Sequence, residues 1–359
     1  MPAAILEIDL DAIAANWRLL CARHPSGPVA AVVKADAYGL GAAAVAPRLF
    51  REGCRHFFTA HVEEALAIRD LVPGAMLAVL NGLLPEAASD CVAQGLVPVL
   101  GSRAEIAAWR DEAARCGRAL PAILHVDTGM NRLGLSHGDV PALAAEPGVL
   151  AGIDVLYVMT HLVAAECPAD PANARQRRRF ARACAALPPA PRSIANSSGI
   201  FLGPEFGSDL ARPGAALYGV NPTPGSANPM RLPVSLRARI LQVHDVSPGE
   251  GVGYNATWTA ARPSRIGTVA VGYADGYLRA LSGVAQAGFD GRPVPLVGRV
   301  SMDLATFDLT DHPAAGPGDW LDLIGPLATP DDLAARAGTN GYEILTSLGR
   351  RYHRRYRSR

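Results

Sequence analysis

The sequence predicts an α/β chain, an N-terminal (β/α)8 barrel of the TIM type followed by a C-terminal, mostly-β domain. Eight short apolar runs alternate with Ala-, Glu- and Arg-rich segments of helical spacing, the mark of parallel strands joined by crossover helices. A cluster of turn-forming residues from Asn221 to Pro229 ends that cadence. Beyond it helical patterning nearly vanishes and strand-like runs take over. A doubly wound open sheet is the alternative, but no G-x-G-x-x-G follows the first strand. The division falls at residues 1–228 for the barrel and 229–359 for the β domain.

In chain order, Ile5 to Leu10 alternates apolar and acidic positions and reads as a strand with one wet face. Helical spacing follows over Ala12 to Cys21. The eight barrel strands are then expected at Val29–Val33, His56–Ala60, Met76–Leu80, Val97–Leu100, Ala122–Val126, Val155–Thr160, Ser193–Ala195 and Ala215–Val220. Ser102 and Glu105 form an S-x-x-E capping box for one intervening helix. In the second domain strands are expected at Val234–Val246, Ser264–Val271, Val294–Val300, Thr306–Leu309 and Trp320–Ile324. Asp290-Gly291 signals a hairpin there, and Pro330 to Ala337 a short helix.

Hydrophobic residues make up 49% of the 359 positions and charged residues 19%, the balance of a folded globular chain. The net charge of +1 gives no overall electrostatic reason to expect nucleic acid or an anionic membrane. The tail from Arg350 to Arg359 is basic with interleaved tyrosines and reads as a solvated terminus or subunit contact rather than a nucleic-acid patch. Six scattered cysteines show no C-x-x-C pair and no zinc spacing, so no metal is expected. No signal peptide and no run long enough to span a bilayer is seen, which makes the cytoplasm the expected location.

The chemistry gathers around Ala30 to Gly41. An apolar run of strand length delivers Lys34, and Tyr38, Gly39 and Gly41 follow within seven residues. At the end of a buried strand, desolvation pulls a lysine's pKa down toward the neutral amine that Schiff-base chemistry uses. Taken alone, the lysine reads first as one that snorkels out of the strand. Tyr38, four residues on, and two glycines that let the backbone approach a ligand favour the Schiff-base reading. A barrel also places its active site at the C-terminal ends of its strands. Lys34, His125, Asp127, Arg132, His161, Asn196, Ser197, Ser198 and Arg212 all fall at such ends.

These segments resemble the alanine racemases, and the resemblance spans nearly the whole chain. Lys34 matches the lysine that carries pyridoxal phosphate in that family. Val126 to Gly134 resembles the stretch whose arginine bonds the cofactor's phenolic oxygen and helps bind substrate, which implies that role for Arg132. Thr160-His161-Leu162 is similar to the segment whose histidine packs on the pyridine ring. Ala195 to Ser198 and Arg212 to Ala215 look like the phosphate-binding loops. Asn196, Ser197, Tyr38 and the N–H groups of Gly214 and Ala215 would belong to that cradle. Arg212 would face the pyridine nitrogen. An arginine keeps its own proton, so it leaves that nitrogen unprotonated and disfavours the transamination route.

The resemblance extends into the β domain. Gly251 to Trp258 is similar to the segment that supplies the family's second base, a role implied for Tyr254. A phenol has a pKa near about 10, so nearby positive charge or hydrogen bonds must stabilise its phenolate. Gly298 to Asp303 resembles the motif whose methionine N–H binds the substrate carboxylate, here Met302. Gly272 to Gly276 looks like the channel segment, with Tyr273 narrowing it. In the family these residues come from the second subunit, which implies a homodimer with shared sites.

Some positions depart from the family pattern. His125 stands where many members carry a carbamylated lysine that orients the arginine, and Arg350 where many carry a phosphate-binding tyrosine. Asn255 replaces a glycine. The implied activity is interconversion of L- and D-alanine by two bases, Lys34 and Tyr254. A racemase of larger amino acids such as serine or lysine, and a non-catalytic carrier of pyridoxal phosphate, are the alternatives. Arg212 argues against a decarboxylase, and the β domain against a Schiff-base aldolase.

Overall fold

A computed structural model describes residues 2–358; Met1 and Arg359, the outer ends of the N-terminal stretch and the basic tail, lie outside the described residues. The first strand, β1 (Ala4–Asp9), leads through an Asp9 N-cap into the helix Leu10–Arg23. Seven parallel strands then pair in sequence order: β2 (Ala31–Val32), β3 (His56–Thr59), β4 (Met76–Val79), β5 (Val97–Leu100), β6 (Leu120–His125), β7 (Ile153–Met159) and β8 (Arg192–Ser193). Helices on the outside separate most of them. Along β2 the period of two is visible in the packing. Ala30 and Val32 join an interior cluster with Phe58, Val99 and Ile123, while Ala31 and Val33 face the helices.

The eighth barrel position differs from its expected place. Ala215–Tyr218 is a 3₁₀ turn, not a strand. The ring is closed instead by the segment just before it. Ala211 bridges Val29 in parallel and accepts from Ala30 N–H at 2.8 Å, Pro213 accepts from Val32 N–H at 3.1 Å, and Arg212 donates to Ala195 at 2.9 Å. Ser102 caps the helix Arg103–Cys116 as expected, accepting from Glu105 N–H at 3.2 Å. The Glu105 carboxylate turns to Gly101 and Leu83 N–H groups rather than back to Ser102.

The second sheet is built around the 13-residue strand β9 (Val234–Val246). After a small pair, β10 (Gly251–Val252) and β11 (Trp258–Thr259), come β12 (Ser264–Val269), β13 (Gln286–Phe289), β14 (Arg292–Val297), β15 (Ala305–Asp308) and β16 (Trp320–Ile324). The order β12-β15-β14-β13-β16-β9, with β9 also paired to β12, closes this sheet on itself. The β13–β14 hairpin turns at Asp290 and Gly291, both at positive φ, as its sequence predicts. Helices Pro330–Ala337 and Gly341–Ser347 follow.

β1 belongs to this second sheet, antiparallel to β9 and parallel to β17 (His353–Arg357). The basic tail is therefore a paired strand, with most of its residues exposed as expected. Arg357 pairs with Glu7 at 2.6 Å, and Arg351 with Asp275 at 3.0 Å and Asp303 at 2.7 Å. No helix among the described residues is long and apolar enough to cross a membrane.

Candidate active site

A cavity of about 500 Å³ opens at the C-terminal mouth of the barrel. Ten of the residues singled out from the sequence line it together: Lys34, Tyr38, Arg132, His161, Asn196, Ser197, Ser198, Arg212, Gly214 and Ala215. His125 lines it as well. Tyr254, Tyr273 and Met302 are not among its lining. They sit on the β domain, exposed at 68%, 42% and 54%. Tyr273 and Met302 belong to one local structure, since Tyr273 N–H donates to Ser301 and Ala274 N–H to Met302.

Lys34 leaves the barrel at the end of the first parallel strand. The residues after it, Ala35, Asp36, Ala37 and Tyr38, all take positive φ, near 52–55°. The segment is thus a left-handed turn without a glycine. Gly39 continues it at φ 81°, where a Cβ would lie 2.3 Å from the Leu345 carbonyl oxygen. Asp36 Oδ1 accepts from Ala42 N–H at 2.7 Å and closes the turn onto the next helix. Burial and then Arg132 hold the Lys34 pKa below the ordinary lysine value, while Glu64 opposes them.

Arg132 reaches the mouth on a loop that Asp127 folds. Its carboxylate accepts from the N–H groups of Gly129, Met130 and Asn131 at 2.8–2.9 Å. Gln176, from the helix Pro171–Ala186, donates to the Thr128 hydroxyl at 3.1 Å and the His161 carbonyl at 2.8 Å. It ties the arginine loop to the histidine strand end, a long-range link that no local pattern announces.

Arg212 is buried, 4% exposed. It donates to the Ser193 hydroxyl and, at 2.6 Å, to the Thr160 carbonyl. Burial brings its pKa down to about 10, so it stays charged at neutral pH. His161 and His125 are pushed down to about 3 and about 4, by burial first and then by Arg212, and stand neutral. The Ser197 hydroxyl accepts from Gly214 N–H at 3.0 Å and Ala216 N–H at 3.2 Å. A Cβ on Gly214 would lie 2.2 Å from the Tyr38 hydroxyl. Glycine is what lets that phenol approach the backbone.

Arg350 is not among the cavity's lining residues. From the C-terminal segment Tyr342 and Thr346 line it instead, and the sequence carried no signal for either. Among the described residues that line it, Glu166 is the one carboxylate, against Lys34, Arg132 and Arg212. This donor-rich, net positive cavity with an amine of lowered pKa fits a phosphorylated aldehyde. The cations and backbone N–H groups suit its anionic end, and the lysine its carbonyl.

Comparison with known proteins accords with this geometry. The alanine racemase N-terminal domain model matches residues 8–222 and the C-terminal domain model residues 233–356. An alanine racemase of Acidiphilium cryptum is 58% identical over 349 residues, 97% of each chain. One of Rhodospirillum rubrum is 53% identical, covering 98% of this chain and 96% of the relative. The crystal structure of alanine racemase from Bartonella henselae with covalently bound pyridoxal phosphate superposes with a TM-score of 0.96 at 40% identity, covering 99% of this chain and 100% of that one. The chain belongs to the alanine racemase family.

Proposed function

We propose that this chain is a pyridoxal-phosphate-dependent isomerase that interconverts L-alanine and D-alanine. The observation that carries the proposal is Lys34, an amine of lowered pKa, in one cavity with Arg212, Ser197 and Gly214. Bound to Lys34, the cofactor supplies an electron sink that acidifies the substrate Cα–H. Tyr38, Asn196, Ser197, Gly214 and Ala215 would hold its phosphate, and His161 would flank its ring. Arg212 would meet its nitrogen with a fixed positive charge, and Arg132 would bind the phenolic oxygen and orient the substrate.

Within that frame the Lys34 amine takes or returns the Cα proton on one face. Tyr254 of a second copy does the same on the other, so the configuration inverts. Met302 of the second copy would fix the substrate carboxylate through its N–H, and Tyr273 would narrow the approach. The assembly is thus a homodimer. Residues 1–228, apart from the β1 strand lent to the other sheet, form the cofactor unit, and 229–359 the unit that serves the partner. What supports this is the exposure of Tyr254, Tyr273 and Met302 away from the cavity of their own chain. The protein would work in the cytoplasm.

The test combines a spectrum with turnover. The absorption band of lysine-bound cofactor should vanish on borohydride reduction. Circular dichroism should show racemisation of L-alanine that Lys34→Ala and Tyr254→Phe abolish or cripple. A bound cofactor with turnover of serine or lysine but not alanine would move the function to a broader racemase. A bound cofactor with no turnover would leave a carrier.

A further inference from the structure

The left-handed turn after Lys34 is costly. Each L-residue in that region gives up roughly 1–2 kcal/mol, and Ala35 to Tyr38 are four in a row. Such a run persists only where its surroundings hold it. Several holders lie in or beside the segment, among them Gly39 N–H to Ala35, Gly41 N–H to Asp36 and Ala42 N–H to the Asp36 carboxylate. Another comes from the next strand–helix unit. Glu64 Oε1 accepts from Ala35 N–H, the residue beside the lysine, at 2.7 Å. Its Oε2 accepts from Ala60 N–H at 2.7 Å and His61 N–H at 3.3 Å. A capping glutamate at the third position of the helix Val62–Ile68 requires only the His61 bond. The reach to Ala35 is additional.

We propose that Glu64 is a positioning residue for Lys34: one carboxylate ties the first two strand–helix loops together and fixes the turn from which the lysine enters the cavity. This rests on the reading of Lys34 as the cofactor- and proton-carrying amine. Arg132 from the loop after β6, His161 after β7 and Glu64 act on that amine, in a cavity also lined by Tyr38, His125, Glu166, Arg212 and Tyr342. Arg132 works against a proton on Lys34 and Glu64 works for one. The carboxylate therefore sets both where the amine lies and how readily it keeps its proton.

The sequence offers a direct readout, because Lys34 is the only lysine in the chain. Full-length protein carrying lysine labelled with carbon-13 at Cε, with the cofactor removed, gives one lysine resonance and its titration midpoint. Glu64→Gln keeps an acceptor oxygen for the cap but removes the charge, and Glu64→Ala removes both. In Glu64→Gln the midpoint should move to lower pH. In the reconstituted enzyme kcat should fall about tenfold, with KM held within about threefold. Glu64→Ala should lose more activity and some melting temperature; if it does not fold, Glu64→Gln carries the test. An unchanged midpoint in Glu64→Gln overturns the proposal and leaves Glu64 a helix cap. Failure of the wild-type protein to racemise would sink the functional reading instead, and the midpoint would still report on Glu64 and Lys34.

Discussion

Tyr38 and Tyr218 stack, with ring centroids 4.8 Å apart and planes 27° from parallel. Tyr218 is fully buried and donates its hydroxyl to the Val32 carbonyl at 2.9 Å. The phenol proposed to hold the cofactor's phosphate is thus set from inside the barrel. Burial raises the pKa of both, so both remain donors at neutral pH. Tyr218→Phe keeps the stack and should cost about 1 kcal/mol in a denaturant melt. Its cofactor affinity should stay within about threefold of wild type. Tyr218→Ala should cost about 3–5 kcal/mol and loosen the cofactor tenfold or more.

At Gly214 the space is already taken by the Tyr38 hydroxyl. Gly214→Ala should force that ring away at a cost of about 1–3 kcal/mol. Equilibrium dialysis should then show pyridoxal phosphate binding weakened about tenfold or more, with secondary structure unchanged. Binding equal to wild type would mean that Tyr38 contributes nothing to holding the cofactor.

Acid should weaken the fold in part through two histidines at the cavity, His125 and His161. An unfolded histidine titrates near about 6.5. In the folded chain His125 lies at about 4, lowered by burial, Arg212 and Arg132 against Asp127, and His161 at about 3, lowered by burial, Arg212, Arg132, Lys34 and His125. Between those values the unfolded chain binds protons that the folded chain refuses, so stability drops as pH falls from about 6.5 toward 4. Melting temperature measured across that window should decline, and His125→Asn should make the decline shallower. An identical slope in the variant would count against His125 as a source.

The tail braces the lysine turn. Arg354 Nη1 donates to the Gly39 carbonyl at 2.7 Å, and its other nitrogen reaches Leu348 and Gly349. Arg354→Met should cost about 1.5–3 kcal/mol and speed cofactor release on dilution. Removing residues 353–359 deletes β17 and uncovers an edge of β1, so the loss should be larger, read by the same melt.

Much of this was legible in the sequence because barrel strands announce themselves as apolar runs and the site residues sit where those runs end. Lys34, Arg132, His161, Ser197 and Arg212 follow such runs and line the cavity. The eighth strand was misplaced for a physical reason. Ala215 to Val220 is apolar and buried, and a short apolar run is compatible with a strand or a tight helical turn alike. Leu210 to Pro213 carries an arginine and a proline and gives no such signal, although its backbone closes the ring. Residues 5–10 were recognised as a strand, but alternation says nothing about which sheet a strand joins. The left-handed turn contains no glycine from Ala35 to Tyr38. Glu64, Gln176, Tyr342 and Thr346 act across long stretches of chain, beyond the reach of local spacing.

The pairing of β1 with β17 joins strands made far apart in the order of synthesis. β1 emerges from the ribosome early, yet its parallel partner and the arginine that braces the lysine turn come nearly a whole chain later. Non-local pairing of this kind is slow to form, and N-terminal segments otherwise fold first. The lysine turn of the nascent chain is thus unbraced until the strand carrying Arg354, 315 residues after Gly39, has been made.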